Sequence, residues 1–239
     1  VVEMGMRGLG EIERLARTTL PTVSVITNVG TAHIGRLGSR EAIAQAKCEL
    51  LAETPADGTA ILNASNPLLL EMASKVWQGK TITYGLGVGD VNGELIGDRL
   101  QVGEFTWELP LPGRHNALNF LAGLAVLKAL NLDWQQTLQG IGKLDLPFGR
   151  AQLYQLPQDV MILDETYKAS PEGMLAGLRE LSDMPAKRHW AVLGTMKELG
   201  EMSTQLHRQI GESISNLGIE GAIVLADGEA DAILVGANG

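Results

Sequence analysis

Two spacings of apolar residues alternate along the first part of this chain. Short apolar runs of strand length cover residues 1–4, 23–27 and 59–62. Residues 11–18 and 40–53 instead repeat apolar positions at the spacing of one face of a helix. Strands that alternate with helices in this way predict a parallel α/β sheet.

The pattern changes after residue 80. Residues 81–111 form short alternating runs that Gly and Asp interrupt, which predicts a small antiparallel excursion from the sheet. An Ala- and Leu-rich segment at about 117–130 predicts a helix that follows this excursion.

From residue 149 onward the alternation of strands and helices restarts. The predicted elements are strands at 160–163, 190–193 and 222–225, a helix at 203–217 and a helix that begins at Pro171 with Ser170 as its N-cap. Three strand–helix units predict a small Rossmann-like domain that is truncated at its end. We therefore predict two domains, 1–148 and 149–239, with a linker near 146–149.

Composition narrows the function classes. The 239 residues are 45% hydrophobic and 20% charged, which is typical of a soluble globular protein with two modest domains. The net charge of −9 argues against nucleic-acid binding. The single cysteine, Cys48, excludes an intrachain disulfide and fits a cytoplasmic location. The sequence contains no apolar run of about 18 residues, so membrane insertion is not predicted. Both ends break off abruptly, so we expect a fragment.

Lys47 stands on the apolar face of the helix predicted at 40–53. It follows Ile43 by four residues and precedes Leu50 and Leu51, which define the same face. Burying an unpaired ammonium is costly, so this position needs a chemical reason. The alternative is a side chain that extends past the apolar face to water.

Further polar residues lie at the predicted carboxyl ends of strands, where open α/β sheets bind ligands. They are Glu3, Asn28 with the loop to His33, and Asp164 in the second domain. Glu3 and His33 are candidate ligands for a hard metal ion, although imidazole is a less usual Mg²⁺ ligand than carboxylate. A capping carboxylate, a hydrogen-bonded loop histidine and a structural role for Asp164 remain open as alternatives.

In this order the motifs resemble the Mur ligase family, which builds the peptide stem of bacterial peptidoglycan. The resemblance covers essentially the whole chain. It is carried by the strand-end glutamate, Asn-x4-His and Ala-Lys-x-Glu-Leu, and by the segments ILNASNPLL, GRHNALN, FGRAQ, DETYKASPEGM and VLGTMKELGEMSTQLH. It implies a central P-loop-type ATPase domain at 1–148 without its amino-terminal part, followed by a truncated carboxyl-terminal domain.

The resemblance implies a role for each candidate residue. Lys47 would be carbamylated and, as an anion, would hold Mg²⁺ together with His33 and Glu3, with two ions expected. The implied ATP-contacting residues are Asn28, His115, Asn116, Asn119, Arg150 and Asp164, with Asn116 also predicted as a helix N-cap. Substrate contacts are implied for Tyr167, Lys168 and Ser170.

The last two segments resemble most closely the member that joins D-alanyl-D-alanine to UDP-N-acetylmuramoyl-tripeptide. The implied reaction is ATP-dependent formation of an acyl phosphate, which the dipeptide amine then attacks. These two substrates are the expected partners, and a monomer is expected. A different Mur ligase, a folylpolyglutamate-type ligase and a non-catalytic relic of the fold are the alternatives.

Some positions depart from the family pattern. The P-loop, Gly-x4-Gly-Lys-Ser/Thr, is absent from the sequence, so we expect these 239 residues alone not to turn over ATP. Lys168 and Ser170 replace two amides of the usual Asp-Asp-x-Tyr-Asn-Ala-Asn-Pro, and Ser65 replaces an acid. Ser170 still suits an N-cap, whereas Lys168 puts a point charge where an amide is usual.

Overall fold

The computed structural model describes residues 1–138, 148–225 and 227–238. These residues group into two compact units. The first comprises residues 1–30 and 37–138, and the second comprises residues 31–36 together with the described residues from 148 onward. The predicted linker at 146–149 lies largely outside the described residues. No helix among the described residues has the length and apolarity needed to cross a bilayer.

A mixed six-stranded sheet forms the first unit, with the strands in chain order across the sheet. The first four strands pair in parallel and the last two pairings are antiparallel. The strands are β1 (Val23–Ile26), β2 (Thr59–Asn63), β3 (Lys80–Leu86), β4 (Val91–Ile96), β5 (Arg99–Val102) and β6 (Phe105–Glu108). The predicted mostly parallel sheet with an antiparallel excursion is confirmed, but the first strand of the excursion, β3, belongs to the parallel part.

Of the six helices up to residue 138, three were predicted and confirmed and three were not predicted; most of one of the latter, α2, belongs to the second unit. The helices are α1 (Glu11–Thr19), α2 (Ile34–Leu37), α3 (Arg40–Ala52), α4 (Pro67–Val76), α5 (Arg114–Ala129) and α6 (Trp134–Thr137). Helices α1, α3 and α5 correspond to the predicted segments. The signal for α4 was present as Asn66 followed by Pro67, an N-cap and a first-turn proline.

The prediction of a strand at residues 1–4 is wrong. These residues have no regular secondary structure, and Val1 and Val2 are exposed. A strand is stable only when a neighbouring strand accepts its backbone hydrogen bonds and its apolar side chains are buried. Neither condition holds for this segment, so its apolar sequence alone does not form a strand.

Helix α5 packs on the sheet and forms the main core of the first unit. Leu121 and Leu100 are completely buried there. Gly93 of β4 lies beneath them, and a Cβ at this position would be 2.9 Å from a methyl group of each leucine. The absence of a side chain at Gly93 therefore lets α5 lie close to the strands. The core also contains Ile61, Ile82, Tyr84, Val91, Val102, Leu109, Ala117, Ala122, Leu124 and Ala125.

From residue 148 onward, the described residues of the second unit form two separate strand pairs and three α-helices. Its elements are β7 (Gln152–Leu156), β8 (Val160–Asp164), α7 (Pro171–Asp183), β9 (Trp190–Leu193), α8 (Ser203–Asn216), β10 (Gly221–Val224) and α9 (Asp231–Ala237). Strands β9 and β10 pair in parallel, as the predicted Rossmann-like rhythm requires. Strand β7 was not predicted, and it makes an antiparallel hairpin with β8.

Two glycines allow helices α8 and α9 to cross closely. A Cβ on Gly211 would lie 1.9 Å from the carbonyl oxygen of Ile233, and a Cβ on Gly236 would lie 2.0 Å from that of Arg208. Any larger residue at either position would force the helices apart. Ile210 and Ile233 are buried in this unit.

We predict that Leu121→Ala lowers the free energy of unfolding of the first unit by about 2–5 kcal/mol, because a fully buried leucine leaves a cavity. Urea denaturation followed by tryptophan fluorescence measures this change, since Trp107 packs against the same core. The control is Leu130→Ala at a half-exposed position after α5, with an expected change within about 0.5 kcal/mol. Equal effects of the two substitutions would contradict this account of the core.

Candidate functional site

The carboxyl ends of β1, β2 and β3 are tied together by hydrogen bonds to one carbonyl group. The carbonyl oxygen of Thr27 accepts from Asn63 Nδ2 and from the Tyr84 hydroxyl, at 3.1 Å each. Asn63 and Tyr84 are buried, and burial raises the pKa of the Tyr84 hydroxyl. The hydroxyl therefore stays protonated and donates throughout the ordinary pH range. This arrangement fixes the point where the chain leaves β1.

Asn66 fixes the next residues of the same loop. Its Nδ2 donates to Asn28 Oδ1 at 2.7 Å and to the carbonyl oxygen of Val29 at 3.1 Å. Its Oδ1 accepts from the backbone N–H of Leu69 at 3.1 Å and caps α4. One buried amide thus orients the side chain of Asn28, a predicted ATP contact. Sequence reasoning missed Asn63, Asn66 and Tyr84 as positioning residues, although the first two lie within the quoted segment ILNASNPLL.

Lys47 lies in α3, half-buried, between residues that are almost fully buried. Ile43 and Leu51 are each about 1% exposed, and Leu50 is half-buried. Ser39 accepts from the backbone N–H of Ala42 and caps the helix. Lys47 was predicted to lie within the apolar face; Ile43 and Leu51 of that face are buried, whereas Lys47 itself is only half-buried, as Leu50 is.

Cys48, the residue after Lys47 in α3, is almost completely buried. Burial raises the pKa of its thiol from 9.0 to about 11, although the charge of Lys47 acts in the opposite direction. Only 2% of Cys48 is exposed.

Glu49, two residues after Lys47, has a structural role. Its Oε1 accepts from the backbone N–H of Gly10 at 2.7 Å and its Oε2 accepts from that of Glu13 at 3.2 Å. Helix α1 has no capping side chain of its own at Gly10. A carboxylate from α3 therefore satisfies the free N–H groups of α1 and lies favourably at its positive end.

Glu3 does not occupy a strand end, because residues 1–4 form no strand. It is exposed in an irregular segment. The argument that placed Glu3 at the ligand-binding edge of the sheet therefore fails on position. Its carboxylate remains a suitable ligand for a hard cation on chemical grounds.

His33 belongs to the second unit, in the short segment 31–36. Its backbone is left-handed, with φ of 67°. Its Nδ1 is hydrogen-bonded to Glu198 Oε2, and Arg36 Nε donates to Glu198 Oε1 at 2.8 Å. These bonds, led by the one from His33, lower the pKa of the Glu198 carboxyl group. His33 is thus a hydrogen-bonded loop histidine, and that bond occupies only one of its two ring nitrogens.

The start of α5 differs from the prediction. Its N-cap is Gly113, with φ of 97°, and Asn116 lies inside the first turn, where its Nδ2 donates to the carbonyl oxygen of Pro112 at 2.7 Å. The predicted N-cap role of Asn116 is therefore wrong, because glycine adopts the backbone conformation that starts the helix earlier. His115 is half-buried, and this burial lowers the pKa of its imidazole. Asn119 is exposed.

In the second unit the structure brings Arg150 and Tyr167 together. The guanidinium carbon lies 4.1 Å from the centre of the Tyr167 ring, and the Tyr167 N–H donates to the carbonyl oxygen of Gly149 at 3.0 Å. Asp164, at the end of β8, accepts from the backbone N–H of Thr166 at 3.0 Å. The Asp164 bond is the structural role that the sequence left open. The Arg150–Tyr167 contact was not predicted.

The residues after Asp164 form a turn that leads into α7. Glu165 accepts from the backbone N–H of Ala151 at 3.0 Å, and burial is the main cause that raises the pKa of its carboxyl group. Lys168 is exposed. Ser170 accepts from the backbone N–H of Gly173 at 3.2 Å, so its predicted N-cap role is confirmed.

Comparison with known families matches both parts of the chain. The family model described as the Mur ligase middle domain matches residues 1–127. The model described as the Mur ligase glutamate ligase domain matches residues 149–237.

Individual relatives agree. A Synechocystis protein named UDP-N-acetylmuramoyl-tripeptide–D-alanyl-D-alanine ligase is 53% identical over 240 residues, which cover all of this chain and 53% of that protein. A crystal structure of MurF from Acinetobacter baumannii superposes with a TM-score of 0.89 at 28% identity, covering 100% of this chain and 54% of that one. MurF from Thermotoga maritima in complex with ADP gives 0.81 at 28% identity, covering 94% and 53%. The chain spans about half the length of these relatives.

We predict that Cys48 is unreactive in the folded protein. A thiol pKa raised from 9.0 to about 11 reduces the thiolate population near neutral pH about a hundredfold, and burial blocks access as well. The rate of labelling by a chromogenic disulfide reagent, with and without denaturing urea, checks this. Comparable rates under the two conditions would contradict the burial of the Cys48 thiol.

Proposed function

The chain belongs to the Mur ligase family, and on this premise we propose that it is the central and carboxyl-terminal part of a ligase that joins D-alanyl-D-alanine to UDP-N-acetylmuramoyl-tripeptide. The observation that carries the proposal is the 53% identity, over the whole chain, to a Synechocystis protein of that name. The proposed domain boundaries are 1–148 and 149–239.

The proposed chemistry is acyl activation followed by amide formation. ATP transfers its terminal phosphoryl group to the free carboxylate of the tripeptide, and ADP leaves. The amine of D-alanyl-D-alanine then attacks the carbonyl carbon of the acyl phosphate, loses a proton and expels phosphate as the amide bond forms. The activated carboxylate is sensitive to hydrolysis, so the reaction needs a site that excludes water.

Nucleotide contacts are proposed on each unit separately. In the first unit, Asn28 is held by Asn66, and His115, Asn116 and Asn119 follow one another along the first turns of α5. In the second unit, Arg150 and Asp164 lie near the Tyr167 turn. A related structure at a TM-score of 0.81 is a complex with ADP, which supports ATP as the nucleotide.

Tyr167, Lys168 and Ser170 remain the proposed substrate contacts. Tyr167 and Lys168 are exposed, so both side chains are accessible to a ligand. Ser170 already caps α7 with its hydroxyl, and its first role is therefore to shape the turn.

Mg²⁺ is the proposed metal, and the donor chemistry of the chain fits it. Glu3 offers a carboxylate, a carbamylated Lys47 offers anionic oxygens, and His33 offers the ring nitrogen that does not contact Glu198. When bound, the ions would neutralise charge on the β- and γ-phosphates during phosphoryl transfer. Lys47 is half-buried in α3, and carbamylation requires the neutral form of its amine.

A chimaeric enzyme tests the proposed activity. The 239 residues replace the matching half of the Synechocystis relative, and ATP-dependent phosphate release is measured with D-alanyl-D-alanine and with single amino acids as acceptors. We expect activity with the dipeptide. Preference for a single amino acid would favour another Mur or folylpolyglutamate-type ligase, and an inactive chimaera beside an active parent would favour a non-catalytic relic.

We predict that Lys47 takes up CO₂. Carbon-13 NMR of the chain in labelled bicarbonate should show a carbamate signal, and Lys47→Ala should remove it because the reacting amine is gone. In the chimaera, Lys47→Ala should lose activity and regain part of it with added short carboxylates. Lys75→Ala is the matched control, since Lys75 is an exposed helical lysine paired with Glu71. A fully active Lys47→Ala enzyme that needs no rescue would refute the carbamate.

A further inference from the structure

We propose that Glu198 is a positioning residue for His33: its carboxylate fixes the imidazole so that Nδ1 carries the proton and Nε2 is left to face a ligand. This inference rests on the proposed function, because it gives His33 its use as a metal ligand. It concerns the loop after β9, from Gly194 to Gly200, which sequence reasoning recognised only as part of a family segment. Both segments involved belong to the second unit.

The backbones of the two segments meet directly. The N–H of Gly35 donates to the carbonyl oxygen of Glu198 at 2.9 Å. A Cβ on Gly35 would lie 2.4 Å from the backbone nitrogen of Gly200, so only glycine permits this approach. Because the two backbones are in direct contact, the Cα atom of Glu198 has a fixed position relative to His33.

Both residues of the contact have left-handed backbones. The φ angle is 67° at His33 and 64° at Glu198. This conformation is uncommon for residues other than glycine and persists where surrounding contacts over-determine it. Here it turns the imidazole and the carboxylate toward each other.

The carboxylate is held at both oxygens. Oε2 bonds to His33 Nδ1, and Oε1 accepts from Arg36 Nε at 2.8 Å. A carboxylate held at two points cannot rotate away from the ring. Since an ionised carboxylate only accepts hydrogen bonds, Nδ1 of His33 must carry the proton. In the neutral ring Nε2 then has a free lone pair, which is the arrangement that metal-binding histidines use.

His207 stabilises the same loop through a hydrogen bond to its backbone. Its side chain is completely buried, and its Nε2 accepts from the backbone N–H of Met196 at 2.9 Å. Its Nδ1 lies 2.8 Å from the carbonyl oxygen of Ser203 and donates to it. The same histidine chemistry therefore fixes the loop two residues before Glu198.

Nitrogen-15 NMR of the His33 ring in the 239-residue chain tests the inference. It is recorded above the ordinary histidine pKa of about 6.5, so that the neutral ring reports its tautomer. We expect the Nδ1–H tautomer in the wild type and in Glu198→Gln, which keeps an acceptor oxygen, and a shift toward Nε2–H in Glu198→Ala. Glu201→Ala, at an exposed glutamate just after this loop, is the matched control and should leave the ring unchanged.

Binding of Mn²⁺ alone, as a spectroscopic probe for Mg²⁺, is the second readout. We expect Glu198→Ala to weaken it about 10- to 100-fold, as loss of an orienting partner does elsewhere, and Glu201→Ala to leave it unchanged. An unchanged His33 ring or unchanged Mn²⁺ affinity in Glu198→Ala overturns the inference, as does an equal effect of Glu201→Ala. If the wild type binds no Mn²⁺, the proposed metal site fails while the ring measurement still decides whether Glu198 positions His33.

Discussion

The carbonyl oxygen of Thr27 is the acceptor on which the arrangement of the strand ends in the first unit depends. A carbonyl that ends a strand must find new donors when the ladder stops. Here the donors are Asn63 and Tyr84, which come from β2 and β3, the next two strands of the sheet. The three strand ends are therefore locked by a polar contact within a largely apolar interior. Asn66, the N-cap of α4, in turn donates a hydrogen bond to the Asn28 side chain. The loop after β1 is therefore held by side chains of β2 and β3 and by the N-cap of α4.

The same requirement recurs at the start of several helices. Helix α3 uses its own Ser39, and α7 uses Ser170. Helix α1 lacks such a residue and takes the carboxylate of Glu49 from α3 instead. In the family motif Ala-Lys-x-Glu-Leu, this glutamate thus connects two helices, while the lysine two positions earlier is half-buried.

In the second unit, hydrogen bonds to the ring nitrogens orient two histidines, His33 and His207. His207 is buried with both nitrogens bonded, whereas the bond of His33 to Glu198 takes up only Nδ1. The two histidines have the same tautomer, but they differ in the number of ring nitrogens that remain available for a ligand. The buried one can only stabilise the loop, and the other retains a nitrogen with which to bind a ligand. Burial, rather than residue type, separates the structural histidine from the candidate ligand.

The sequence alone determined the α/β class, the parallel order of strands and helices, the helices with clear periodicity, the cap at Ser170 and the placement of Lys47 beside an apolar face. These follow from local spacing and from capping groups close in the chain. Only the tertiary structure decided that residues 1–4 form no strand, that β7 pairs with β8, that Gly113 rather than Asn116 caps α5, and that Glu198 meets His33. The contact of Glu198 with His33 joins residues distant in sequence, and the others depend on strand pairing or on a backbone conformation; none of these is visible in the spacing of apolar residues.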